Sequence, residues 1–167
     1  MSILLRTVHG SHLYNLNHDN SDTDYYEVYS GKGRAKQTIV GDIDTLRISY
    51  DSFMFQCRKG VPQALEALYS PVKEIDEIPF ITDSFNPIST EVYKTYVRTI
   101  RNFWKEGSLK RKRHAVRLCI NLSCIMRYGR FNPSLTQIEK IFVVAYGDVD
   151  EEECPALNML GFPLYIW

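Results

Sequence analysis

The sequence predicts an α+β fold, a small mixed β-sheet followed by a helical C-terminal region. Strand patterns fill residues 1–50, whereas from Tyr50 onward the apolar residues recur at helical spacing. Pro71, Pro79 and Pro87 punctuate the stretch between the main strand and helix blocks. The expected organisation is a core over residues 1–70, a connector over 71–88 and a helical region over 89–167.

Each element has its own signal. Residues 3–8 (Ile-Leu-Leu-Arg-Thr-Val) read as a strand running into His9-Gly10-Ser11, with a brief helix over 11–16. A polar turn region follows from Asn17 to Thr23. The aromatic and β-branched run from Asp24 to Tyr29 reads as a strand, and Gly31-Lys32-Gly33 as a turn. Residues 37–40 and 44–50 give two further strands around Gly41-Asp42. Phe53, Phe55 and Cys57 fit either period, but Ala64, Leu65, Leu68 and Tyr69 repeat helically after Pro62. Amphipathic helices are expected over 89–106, with Tyr96, Ile100 and Trp104 inward, and over 110–128, with Ala115, Leu118 and Leu122 inward. A shorter helix follows Pro133, capped by Ser134 or Thr136.

Composition narrows the class. The 167 residues, 44% hydrophobic, are enough for a core without staples. Lys and Arg number 20 and Asp and Glu number 20, so no global field attracts nucleic acid. The charges are unevenly spread. Lys105, Lys110, Arg111, Lys112, Arg113, His114 and Arg117 make a basic segment, and Asp148, Asp150, Glu151, Glu152 and Glu153 an acidic one. The four cysteines, Cys57, Cys119, Cys124 and Cys154, lack zinc-site spacing and read as reduced, buried thiols of a cytoplasmic protein. The apolar run Ile3-Leu4-Leu5, broken by Arg6, is too short for a signal peptide or a membrane span.

The informative segment runs from Gly10 to Asp24. Asp22 and Asp24, two apart on a strand, point to one face. Two carboxylates on one face repel unless a cation lies between them, and all-oxygen ligation of this kind suits Mg²⁺ carrying a triphosphate. Gly10-Ser11 follows a strand and opens a helix, where a glycine lets backbone N–H groups approach phosphate and Ser11 adds a hydroxyl. Alone, a D-x-D is a solvated turn and a Gly-Ser is a turn. Together they describe a triphosphate pocket.

Gly10-Ser11-x-x-Tyr14 followed by Ser21-Asp22-x-Asp24-x-x-x-Val28 resembles the polymerase-β nucleotidyltransferase superfamily. More narrowly, it is similar to the nucleotidyltransferases associated with RNA ligases in RNA-repair operons, a group common in bacteria and phages. Residues 44–53, 59–71 and 112–118 resemble three further blocks of that group in order, so the likeness spans Leu4 to Phe142. It implies a polymerase-β-like core that transfers a nucleoside monophosphate from a nucleoside triphosphate such as ATP to an acceptor hydroxyl. Gly10, Ser11 and Ser21 would bind the nucleotide, and Asp22 and Asp24 would ligate the metals. Asp44, with Asp42 as the alternative, would be the third carboxylate that helps deprotonate the acceptor. Two positions depart from the family pattern. Asn15 stands where it usually has Gly, a mild change because Asn tolerates a left-handed backbone. Tyr26-Glu27 stands where it tends to have Arg-Gly, which removes a charge near the site and bears on acceptor choice.

Positive charge at the start of the second long helix opposes the helix dipole, which a bound anion would relieve. Lys112 is the candidate for the triphosphate, with His114 and Arg117 nearby, while Lys110 and Arg111 read equally well as a solvated face. His9 and His12 flank the Gly-Ser turn, and with His18 they do not complete a tetrahedral zinc set. The expected cofactor is Mg²⁺, with Mn²⁺ as the alternative, and the expected acceptor is an RNA or tRNA 3′ end. Nucleotidylation of a protein or small molecule, and a non-catalytic nucleotide-binding role, are the competing readings. Base preference and oligomeric state leave no mark in the sequence.

Overall fold

A computed structural model describes residues 1–17, 21–79 and 85–160. The chain is α+β, with a five-stranded mixed sheet followed by helices. The first strand, β1 (Ile3–His9), leads into the short helix α1 (Gly10–Tyr14). Strands β2 (Thr23–Tyr29), β3 (Lys36–Val40) and β4 (Ile43–Ser49) follow. Helices α2 (Tyr50–Arg58) and α3 (Pro62–Tyr69) come next, then a fifth strand, β5 (Lys73–Asp76). The chain continues through α4 (Thr90–Glu106), α5 (Leu109–Tyr128), α6 (Gln137–Gly147) and α7 (Pro155–Asn158).

The strand order is β3-β4-β2-β1-β5. β2 and β4 are parallel, and the remaining pairs are antiparallel. One face of the sheet is dry. Leu5, Tyr26, Val28 and Ile48 point from it into a core shared with Phe53 of α2, Leu65 of α3, Ile100 of α4 and Leu122 of α5. On the opposite face Glu27 is clamped between Arg6 and Arg47, at 3.5 and 2.6 Å.

The sequence-based elements are mostly present, and three differ. The ambiguous run after Ser49 is helical: Ser49 caps α2 by accepting from the Ser52 N–H, and Phe53, Met54 and Cys57 turn inward. Within the expected connector, residues 73–76 form β5, because the exposed edge of β1 offers an unpaired ladder. The β1–β5 joint is fastened by the Thr7 hydroxyl, which lies 2.6 Å from Ser70 Oγ and donates to the Val72 carbonyl at 3.0 Å. The short α7 is the third addition. Thr136, rather than Ser134, caps α6 through a reciprocal box with Glu139. Cys57, Cys119 and Cys154 are buried free thiols and Cys124 is half-buried. Among the described residues, no helix is long and apolar enough to cross a membrane.

The turn between α2 and α3 presses on α4. Gly60 has φ +70, and a Cβ there would stand 2.5 Å from the Val92 Cα. Both the left-handed backbone and the contact demand glycine. Gly60→Ala is therefore expected to destabilise the fold by about 2–4 kcal/mol. A thermal melt should show Tm lowered by on the order of 10 °C; an unchanged Tm would mean this turn does not hold the helices on the core.

Candidate active site

The site starts from strand register. His9 of β1 lies opposite Asp24 of β2, and Asp24 lies beside Asp44 of the parallel strand β4. Ile39 of β3 lies opposite Asp44 and ends the row. Alternation puts these side chains on the helix-bearing face, at the end of the sheet that the apolar core does not cover. Asp22, exposed, sits one step before β2. Asp42 is exposed in the β3–β4 turn, outside the row, and its carbonyl accepts from the Thr23 N–H. Of the two candidates for a third carboxylate, Asp44 is the one aligned with Asp24.

Gly10 is required by this arrangement. Its φ is +62, and a Cβ would stand 2.0 Å from Asp24 Oδ2. The carboxylate thus packs directly on the start of α1. Asn15 ends α1 in the left-handed conformation at φ +65, the backbone state the sequence allowed for it. His12 Nε2 lies 3.2 Å from the Ser21 carbonyl, tying α1 to the turn that delivers Asp22.

The carboxylates feel one another. Burial raises the Asp24 pKa, and Asp44 and Asp22 push it the same way against the opposing pull of His9 and His12. Asp44 is held by Gln37, whose Nε2 donates to Oδ2 at 2.5 Å, while among the described residues its Oδ1 is buried without a hydrogen-bond partner. Among the described residues, no group of three or more His, Cys, Asp or Glu is gathered to hold a metal ion.

A cleft of about 910 Å³ reaches this row at Asp24. Ser11, Ser21, Asp22 and Asp24 form one wall, and Lys110, Arg113, His114 and Lys140 form the other. Lys110, Arg113, His114 and Arg117 follow i, i+3, i+4, i+7 spacing and so share one face of α5. Lys112 lies off that face. Its Nζ donates to the Val149 carbonyl at 3.1 Å, stands 3.6 Å from Asp150 Oδ1 and lies over Trp104. The expectation for Lys112 is therefore corrected, because its helical position turns it to the acidic segment, and Lys110 and Arg113 take the cleft. Lys140 of α6 had no signal in the sequence, being one cation in an apolar helix.

Arg117 lies outside this cleft and lines the neighbouring one, of about 700 Å³, with Tyr14, Glu66, Lys110 and His114. It is 3% exposed and its Nη1 donates to Glu66 Oε1 at 2.6 Å. Tyr14 donates to Glu66 Oε2 at 2.5 Å, and the Arg117 guanidinium lies 3.6 Å from the centre of the Tyr14 ring. His9 Nε2 is 3.9 Å from the same carboxylate. Glu66, the buried anion joining these groups, escaped the sequence reading as a site residue, although a Glu within Ala64-Leu65-Glu66-Ala67 signals one. His114 packs edge-on against Tyr14, and burial, reinforced by Arg117, brings its pKa down to about 4. His9 faces this network and His12 the Ser21 turn; His18 lies outside the described residues.

No protein-family model matches the chain, and no curated protein matches it as a relative.

Two outcomes follow from the buried network. Arg117→Met, which strands Glu66, should cost about 3–5 kcal/mol in denaturant melts, and Glu66→Leu in the same chain should restore most of it. Additive losses would show that the pair is not coupled. For His114, the unfolded imidazole titrates near 6.5 and the folded one near 4, so the unfolded chain takes up the proton first. Stability should fall as pH drops from about 6.5 to 4, and His114→Asn should flatten that limb by up to roughly 3 kcal/mol. A variant that keeps the wild-type slope would contradict the assignment.

Proposed function

We propose that this chain is a Mg²⁺-dependent nucleotidyltransferase of the polymerase-β type, moving a nucleoside monophosphate from a nucleoside triphosphate to an acceptor hydroxyl, with an RNA 3′ end as the acceptor. The observation that carries the reading is the alignment of Asp24 with Asp44 on parallel strands, with Asp22 and Asp24 lining a cleft that Lys110, Arg113 and Lys140 also line. A run of carboxylates facing Lys110, Arg113 and Lys140 matches a ligand that is polyanionic and brings its own divalent ion.

The donor set fits such an ion. It is all oxygen, burial together with Asp44 and Asp22 raises the Asp24 pKa, and among the described residues Asp44 has a buried oxygen without a hydrogen-bond partner. Asp22 and Asp24 would hold Mg²⁺ or Mn²⁺, with Asp44 joining after turning off Gln37. When bound, the ion supplies charge neutralisation for the triphosphate and a lowered pKa for the acceptor hydroxyl.

The chain's own groups divide the remaining work. Ser11 and Ser21 lie on the carboxylate wall, where their hydroxyls can donate to phosphate oxygens. Lys110, Arg113 and Lys140 draw the β- and γ-phosphates to the opposite wall, orienting the triphosphate and offsetting charge on the departing pyrophosphate. His114, neutral at physiological pH, contributes shape and a hydrogen bond rather than charge. Asp44 takes the acceptor proton as the hydroxyl oxygen bonds to the α-phosphorus and the bond to the bridging oxygen breaks. Little covalent work falls to the protein. Positioning supplies most of the acceleration.

Incubation with labelled triphosphate, Mg²⁺ and either RNA or total cell protein tests the reading. RNA should be labelled, and Asp22→Asn or Asp24→Asn should lower the rate by at least ~10²-fold. Because its raised pKa means that ionised Asp24 costs stability above that pKa, Asp24→Asn should also leave metal-free Tm at or a degree or two above wild type, the gain being limited by solvent screening. Full activity in either variant would sink the assignment. Labelled protein in place of RNA would move the acceptor to another class.

A further inference from the structure

The stretch from Gly31 to Val40 contains Lys32, Arg34 and Lys36 and no carboxylate, in a chain whose net charge is zero. All three cations are exposed, and among the described residues none has a carboxylate within ion-pair distance. The other cations of the sheet contrast with them: Arg6 is held by Glu27 and Glu74, and Arg47 by Glu27. These three are left facing water.

They also stand on a fixed loop. The Ser30 N–H donates to the Ser2 carbonyl at 2.8 Å, and Ser2 Oγ lies 2.9 Å from Ser30 Oγ. Gly33 packs so closely on Tyr29 that a Cβ would stand 2.3 Å from its hydroxyl. From this loop β3 runs along the outer edge of the sheet, from Lys36 opposite Arg47 to Ile39 opposite Asp44. Ile39 is 69% exposed and Val40 70%, an unusual display of aliphatic surface on an edge strand. Lys36 lies three residues from Ile39, roughly 10 Å along the strand, and alternation turns it to the Arg47 face while Ile39 faces the Asp44 side; Arg34 and Lys32 precede it in the loop. The edge strand therefore carries apolar surface beside the third carboxylate on one face and exposed positive charge on the other face and in the loop before it.

We propose that this edge is the track for the acceptor. A single-stranded nucleic acid would rest its 3′-terminal nucleoside on Ile39 beside Asp44 and cross the free edge of β3, with the upstream phosphates on Lys36 of the other face and on Arg34 and Lys32. The position of the reacting end rests on the nucleotidyltransferase reading; the track itself rests on the charges and the edge. Aliphatic surface suits a sugar and base face, and cations spaced along an edge suit a phosphodiester chain. A lysine on an edge strand also discourages strand pairing, but that role does not account for Lys32 and Arg34, which precede the strand. Nor does it account for the exposed Ile39.

The test is anisotropy of a labelled single-stranded RNA oligonucleotide with the full chain, in EDTA without triphosphate, over a range of salt. Wild type should bind, and K32Q/R34Q/K36Q should bind at least ~10-fold more weakly with the salt slope reduced by about 2. Circular dichroism and Tm should be unchanged, since the three side chains are exposed. Asp22→Asn should bind RNA like wild type, and Ile39→Ser should raise the RNA KM while leaving Mg²⁺-dependent triphosphate binding intact. Equal binding by wild type and the triple variant, or no RNA binding by wild type, overturns the track and leaves the transferase reading standing. Wild-type self-association lost in the triple variant, without RNA binding, assigns the edge to a second copy and overturns the track as well. RNA binding that depends on the three cations, with no triphosphate bound in Mg²⁺, supports the track and sinks the transferase reading alone.

Discussion

The structure depends on one buried carboxylate. Glu66, 1% exposed, accepts from Arg117 of α5 and Tyr14 of α1 while itself belonging to α3. Three elements distant in sequence are thereby fixed to one point. An unpaired charge at that depth would cost several kcal/mol, so α5 cannot drift from α3 without exposing the cost. The geometry of the cleft follows: Tyr14 ends the short helix that Gly10 begins, and Arg117 lies on the same face of α5 as Lys110, Arg113 and His114. The carboxylate wall and the cationic wall are held in register by a pair that touches neither.

Charge in this chain is segregated rather than absent. The acidic segment after α6 satisfies part of the basic helix start, with Asp148 on Arg113 and Asp150 near Lys112. Lys110, Lys140 and Arg113, the last also paired with Asp148, line the cleft. Asp24 of β2 and Asp44 of β4 lie side by side with no Lys or Arg ion pair among the described residues, and Gly10 lets Asp24 press against the backbone. Such crowding is costly in isolation and sensible beside a divalent ion and a polyphosphate. A local electrostatic deficit of this kind is where chemistry is expected.

Much of this was legible in the sequence where the signals are local. The i, i+2 spacing of Asp22 and Asp24, the glycine before Ser11 and the apolar stripes of α4 and α5 depend on neighbours a few residues away. The left-handed Asn15 is of the same kind. What escaped depends on partners far along the chain. β5 is four polar and apolar residues that become a strand only because β1 has an open edge. The run from Tyr50 to Arg58 carries Phe53, Phe55 and Cys57 at alternate positions, and only the packing of Phe53 and Cys57 against the core selects the helix. Arg117 read as a phosphate ligand because its countercharge lies 51 residues away. Lys112 stood out by residue type, whereas the i, i+3, i+4, i+7 face of α5 already pointed to Lys110 and Arg113.

The carboxylate site is tested most directly by an anomalous difference map from crystals grown with Mn²⁺ and a non-hydrolysable triphosphate. Manganese should lie in direct contact with the Asp22 and Asp24 carboxylates, and the triphosphate should extend between Ser11 and the Lys110–Arg113 face. Manganese bound away from those carboxylates, or a triphosphate seated outside the cleft, would contradict the metal assignment.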